Sequence, residues 1–305
     1  MPQFLRKRRM GIPAPDLIAK RLGIARSDLF TLVQLHLIQG SVGFDAPISM
    51  ALARSWARYA YSTKDHLSDH VAALKARGLV ETPEEGTYNV TARGREAAEA
   101  FQAAGRAHVA THRPLPPTDL QELAYRLERA VKAIIFDPIL APRPGSHLAG
   151  SRALADLTPD SPNDPDVAPM VRIEQAIYDL WLARDDSHTK AWRDAGMEGP
   201  PMQVLSLVWS GEAPTVNQLI EMLQYDQSPE DVEGSLAYLF DKDYIAREGD
   251  TIELTPAGVV VREDIESETN RIYFASWPHT EPEAAWMRDK LGELNTNLPT
   301  PASVG

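Results

Sequence analysis

"LSDHVAALKARGLVETPEEGTYNVTARG", residues 67–94, changes its apolar period partway along. Leu67, Val71 and Leu74 fall at i, i+4 and i+7, one stripe of a helix. After Gly78 the pattern becomes two short alternating runs, at 79–81 and 87–90, separated by Pro-Glu-Glu-Gly at 83–86. The spacing predicts a helix that leads into a small hairpin. What that unit is for depends on the charge around it and on whether it stands alone.

At 305 residues, with 43% hydrophobic and 24% charged side chains, the chain is long enough for two globular domains. It contains no run of eighteen apolar residues. Arg6-Lys7-Arg8-Arg9 is followed by Gly, Pro and Asp rather than by an apolar signal core, so a cytoplasmic location without a membrane partner is expected. The absence of cysteine removes disulfides, Cys-ligated zinc and thiol nucleophiles together. The net charge of -12 conceals a division. Residues 1–115 hold 16 Lys and Arg against 10 Asp and Glu, whereas the remaining 190 hold 15 against 33. Asymmetry of this size points the first half, and not the second, toward an anionic partner.

The opening stretch has a second copy. Leu67, Val71, Leu74 and Leu79 recur 165 positions on as Val232, Leu236, Leu239 and Tyr244. After a one-residue shortening of the turn, Tyr88, Val90, Thr91, Gly94 and Pro114 recur as Ile252, Leu254, Thr255, Gly258 and Pro278. Upstream, "DAPISMALARSW" (45–56) matches "EAPTVNQLIEML" (212–223) at a spacing of 167. Offsets that drift only at turns are what a duplication leaves. Each copy reads as a helix (28–39; 202–210), a Pro-started helix (47–58; 214–224), a third helix capped by Thr63 or Ser228, two strands, and a long helix opened by Thr-x-x-Gly.

"LKARGLVETPEEGTYNVTARGREAAEAF" and "LFDKDYIAREGDTIELTPAGVVVREDIE" resemble the third helix, wing and following helix of MarR-type winged-helix regulators. The likeness covers about 100 residues of each half. It implies a mainly α fold with small β-wings, in which tandem winged helix-turn-helix units form an intramolecular pseudo-dimer. It also implies a DNA-binding transcription regulator. The expected organisation is a first unit over 1–136, a Pro/Asp-rich linker over 137–168, a second unit over 169–295 and a disordered tail over 296–305.

With 67, 71 and 74 turned inward, the opposite face of the first third helix is the one a major groove would meet. Lys64, Lys75 and Arg77 suit phosphates there, and His66, Ser68 and His70 suit phosphates or base edges. Arg54 and Arg58 on the preceding helix, Thr63 at the turn and Arg93 beside the wing complete the expected interface with double-stranded DNA. Against it stand Asp65 and Asp69 at the centre of the face and Glu84-Glu85 at the wing tip. The second copy offers Glu230, Asp231, Glu233 and Asp241 with Lys242 as its lone base, a face suited to packing or sensing.

His66 with His70 and His108 with His112 share the i, i+4 spacing of helical metal ligands, but no third ligand is placed by sequence. No metal, no cofactor and no enzymatic signature is implied: G-x-S-x-G, phosphate-loop and dinucleotide patterns are all absent. Aromatic residues concentrate in the second half. A small-molecule effector would be expected near Trp181, His188, Trp192 and Trp277, although large aromatics at helical spacing also serve as core. The competing expectation is a degenerate winged-helix pair that binds a protein partner or a small aromatic ligand and no DNA. The chain would work as a monomeric pseudo-dimer or as a homodimer.

Overall fold

In the computed structural model, residues 14–54, 60–156 and 167–298 are described. They pack as two compact units that interleave along the chain: one holds the described residues of 1–50, 69–183 and 276–305, the other those of 51–68 and 184–275. The expected break at 137–168 is not the boundary between them. Instead, 51–68 joins the second unit, and the helix near the C-terminus joins the first. No helix among the described residues is long and apolar enough to cross a membrane.

The first unit begins with α1 (Ala14–Leu22) and α2 (Arg26–Val42). α2 buries Leu29, Leu32 and Ile38 completely. β1 (Ile48–Ser49), β2 (Val80–Glu81) and β3 (Thr87–Val90) form an antiparallel sheet in the order β1-β3-β2. Buried Gln39 ties α2 to that sheet, donating from Nε2 to the Phe44 carbonyl at 3.0 Å and accepting from the Val90 N–H at 3.0 Å. Pro47 does not start a helix. Ile48 is needed in the sheet opposite Tyr88, so α3 (Met50–Arg54) opens three residues after the proline.

α4 (His66–Ala76) is the helix of the opening stretch and ends on Gly78, whose φ of 66° lets the chain reverse into β2. Thr91 then caps α5 (Ala92–Val109), accepting from Gly94 N–H and donating to the Gly78 carbonyl at 2.8 Å. Gly94 is required because a Cβ there would overlap the Leu79 carbonyl oxygen. α6 (Pro117–Ile135) buries Leu120, Leu123, Leu127 and Ile134, and pairs with α13 (Glu281–Asn297) through Arg126 and Arg129 on Glu283 and Lys290 on Asp119. That pairing explains why 276–298 packs with the first unit. α13 also carries the predicted tail's first residues, 296 and 297; residues from 299 lie outside those described.

The expected linker needs correction at its centre. α7 (His147–Asp156) is a helix opened by Ser146, whose hydroxyl accepts from Ala149 N–H at 3.2 Å. Leu148 is buried, and α7 lies close enough to α2 that a Cβ on Gly40 would sit 3.1 Å from that of Ala153. Buried Ser151 donates to Asp179 of α8 (Pro169–Asp194) at 2.5 Å.

The second unit builds its core from Trp192, Leu205, Leu219, Val232, Leu239 and Ile265, with Tyr61 packed against them. It contains α9 (Gly199–Trp209), α10 (Val216–Leu223), α11 (Pro229–Asp241), the hairpin β4 (Ile245–Glu248) and β5 (Thr251–Leu254), and α12 (Pro256–Phe274). The hydrogen bonds of the first winged segment recur. Thr255 N–H donates to the Tyr244 carbonyl as Thr91 does to Leu79, Thr255 caps α12 on Gly258, and a Cβ on Gly258 would overlap the Tyr244 carbonyl. Val216 N–H donates to Asp250 as Met50 does to Gly86, which moves the upstream register from the expected 167 residues to 166. Asp243, at φ 58°, takes the position of Gly78.

Gly258→Ala should lower the unfolding free energy by about 2 kcal/mol or more in urea titration, since backbone cannot move aside as a side chain would. A second expectation concerns pH. His36 on α2 is fully buried, with neither ring nitrogen hydrogen-bonded among the described residues, and burial with nearby Arg95 lowers its pKa to about 4. The fold therefore favours neutral imidazole. Its contribution is complete above the unfolded value near 6.5 and declines as pH falls toward 4, by on the order of 3 kcal/mol. Chemical denaturation across that range should show the decline, and His36→Leu should flatten it.

Candidate nucleic-acid interface

The expected DNA contacts gather at and after the turn before α4, so what surrounds residues 60–68 decides which of them are available. Asp65, and not Thr63, caps α4: its carboxylate accepts from Ser68 N–H at 3.3 Å and from the Ser68 hydroxyl at 2.8 Å. The acidic residue that opposed DNA at the centre of the face thus has a local role. In the second copy Ser228 caps α11 as expected, in a reciprocal arrangement with Asp231.

The turn before α4 is held by the turn before α11, both within the second unit. The Ser62 hydroxyl donates to the Asp226 carbonyl at 2.8 Å, and Gln227 Nε2 donates to the Tyr61 carbonyl at 3.3 Å. Under the 165-residue correspondence, Ser62 matches Gln227 and Tyr61 matches Asp226, so the two bonds are the same bond made in both directions. The Thr63 hydroxyl donates to Asp231 at 2.6 Å, Lys64 Nζ donates to the Gln224 carbonyl, and the backbone N–H groups of both reach the Asp226 carbonyl. Hydrogen bonds from Thr63 and Ser228 hold the Asp231 carboxyl below its usual range. Close approach is general here: a Cβ on Gly199 would overlap the Ala60 carbonyl.

The predicted DNA contacts accordingly divide. Thr63 and Lys64 are engaged by Asp231, Gln224 and Asp226. Ser68 is half-buried on Asp65, and His70 turns inward, its Nδ1 2.7 Å from Asp28 Oδ1, with only 16% of its side chain exposed. Each of these four has a partner in the fold. Lys75, Arg77 and Arg93 are exposed near the end of α4; Arg93 Nη1 donates to the Arg77 carbonyl at 2.9 Å, and the Arg77 guanidinium lies 3.5 Å from where a Gly23 Cβ would be. Arg58 and the side chains of Arg54 and His66 lie outside the described residues. The wing residues Glu81, Glu84 and Glu85 are exposed.

The four expected ligand contacts have separate surroundings. Trp192 is 4% exposed and belongs to the second unit's core, where it meets Tyr61 at 6.1 Å between ring centroids. That is a correction toward packing. His188 Nδ1 lies 3.1 Å from the Thr269 hydroxyl, and burial lowers its pKa to about 4. Trp181 neighbours Tyr178, and Trp277 neighbours His279. A cavity of about 220 Å³ does exist in the first unit, lined instead by Glu128, Lys132, Arg152, Arg172, Gln175 and Asp179. Four of its charges are paired, Arg172 with Glu128 and Arg152 with buried Asp179, whose carboxyl burial pushes up against the opposing pull of Arg152. Nothing in the aromatic pattern points to this cavity. His108 and His112 face each other at 3.3 Å between Nε2 atoms, and among the described residues no group of three or more His, Asp or Glu is placed to hold a metal ion.

Residues 149–300 match the model of a helix-turn-helix family, a span that includes α9–α12 and the hairpin β4–β5. Comparison with curated proteins and with solved structures gives no match.

The paired turns can be tested directly. Gln227→Ala leaves the Tyr61 carbonyl without that donor and should cost about 1–3 kcal/mol in urea unfolding, and Ser62→Ala should cost less, because the Asp226 carbonyl keeps the N–H groups of Thr63 and Lys64. In a double-mutant cycle the coupling should be non-additive, because both variants open one joint.

Proposed function

We propose that this chain is a cytoplasmic, non-enzymatic transcription regulator of MarR-like type, with two winged helix-turn-helix units duplicated in one chain and related as an intramolecular pseudo-dimer. The observation that carries the reading is the recurrence of one hydrogen-bonded framework, Thr cap, close-approach Gly and strand carbonyl, at 78–94 and again at 243–258, the latter inside the helix-turn-helix match. The reciprocal bonds of Ser62 and Gln227 support the two-fold relation.

In this reading DNA is contacted by the first copy, through phosphates. Lys75, Arg77 and Arg93 are exposed and cationic, whereas Thr63, Lys64, Ser68 and His70 are engaged within the fold. Phosphate contacts position a protein without reading sequence. Affinity should then depend steeply on salt and only weakly on sequence while the paired turns stay closed.

A second reading is favoured by the engagement of Thr63 and Lys64 and by the acidic α11: a winged-helix pair that binds a protein or a small molecule and no DNA. Fluorescence anisotropy with mixed duplex DNA at several salt concentrations separates the two. The regulator reading expects binding whose log–log salt slope is reduced by about 3 in a Lys75→Glu/Arg77→Glu/Arg93→Glu variant, about one for each phosphate that no longer meets a cation. It also expects sharper sequence preference when Ser62→Ala/Gln227→Ala opens the turns. Absence of binding by wild type and opened variant at low salt would remove it and leave the second reading.

A further inference from the structure

The groove between α11 and the hairpin β4–β5 is where a winged helix that reads DNA would meet the duplex, and here its chemistry is reversed. The groove has a volume of about 500 Å³. Leu236 and Ile245 are buried at its floor, Ala237 and Phe240 are exposed on α11, and Glu233 and Asp241 bring carboxylates to it. Phe240 is 59% exposed and lies beside exposed Ala237 above the buried floor. Arg247 is the one cation among the lining residues. It is already neutralised, with two nitrogens on Glu233 at 2.7 and 3.3 Å and a third on the Gly249 carbonyl at 3.0 Å. Glu230, Glu248, Asp250 and Glu253 are exposed on the same two elements and the turn that joins the strands.

We propose that this groove is a docking site for a protein segment that carries Lys or Arg on either side of one large apolar residue. Charge complementarity selects that partner. A polyanion is repelled by Asp241 and by the exposed carboxylates around it, and an uncharged apolar segment would leave Asp241 without a counter-charge. The apolar side chain would cover Phe240 and Ala237, and its flanking cations would meet Asp241 and the exposed carboxylates of the same two elements, since Glu233 already holds Arg247. Exposed aromatics that a partner covers carry most of the affinity in such contacts, while rim charges set the rate of encounter. The site uses the element that DNA recognition uses elsewhere in this fold, so the second copy would serve protein contact while the first faces DNA.

The test uses the full chain and a fluorescein-labelled helical peptide of Lys, Arg, Ala and a single central Leu, with a Glu-for-Lys/Arg version as control. Saturable binding of the basic peptide is expected, with none of the acidic one. Phe240→Ala should weaken it about tenfold, as should Asp241→Lys. Both positions are exposed, and unchanged thermal unfolding of the variants would show that the fold is intact. Equal binding by wild type and Phe240→Ala would mean charge adhesion alone and would overturn the proposal. So would the absence of saturable binding, duplex DNA binding that is abolished in Phe240→Ala, or self-association in sedimentation that Phe240→Ala abolishes, which would make a second copy the occupant.

Discussion

Two backbone carbonyls, those of Tyr61 and Asp226, each accept a hydrogen bond from the side chain that follows the other. Turns must satisfy their backbone polar groups somewhere, and a turn that meets water has no need of protein donors. Here the turns before α4 and α11 satisfy each other. That choice draws residues 60–68 into the second unit, occupies Thr63 and Lys64, and shifts the cap of α4 from Thr63 to Asp65. The interleaved division of the chain follows in part from it. So does the limited ability of α4 to present its first turn to a groove.

The framework is legible in the residues because it rests on steric and dihedral demands that leave a signature in residue type. A strand carbonyl against the first turn of a helix demands glycine, and the chain supplies it twice, at Gly94 and Gly258. A hydroxyl three residues before that glycine caps the helix, and Thr91 and Thr255 do so. Apolar spacing marks the buried faces of α4 and α11, including Leu74 and Leu239. The upstream register slips by one residue when Ala-Pro is aligned with Ala-Pro, because the strand pairing of Ile48 and the cap at Thr215 set where the helices begin.

The interface is much less legible. Periodicity tells which side of a helix is buried against its own core, and it is silent about contacts with another part of the chain. Lys64 and His70 lie on polar flanks and read as available, yet one reaches the Gln224 carbonyl and the other Asp28. Distance along the chain hides such partners. The 147–156 helix is masked in a different way, by the Pro and Asp residues around it. Its own segment, "HLAGSRALAD", is rich in helix formers, and Ser146 caps it. Composition averaged over a long window hides a local signal that a shorter one contains.

The paired turns also bear on how this sequence can change. In an assembly of identical chains, any substitution beside the two-fold axis is made twice, so bonds there appear and disappear in pairs. Here the two donors are encoded separately, and they differ: a short hydroxyl at Ser62 does what a longer amide does at Gln227. Gln227 is buried and also reaches Gln203 at 3.0 Å, an additional tie that Ser62 is too short to copy. Either side of the joint can therefore be retuned alone, by single steps that an assembly of identical chains would have to take two at a time.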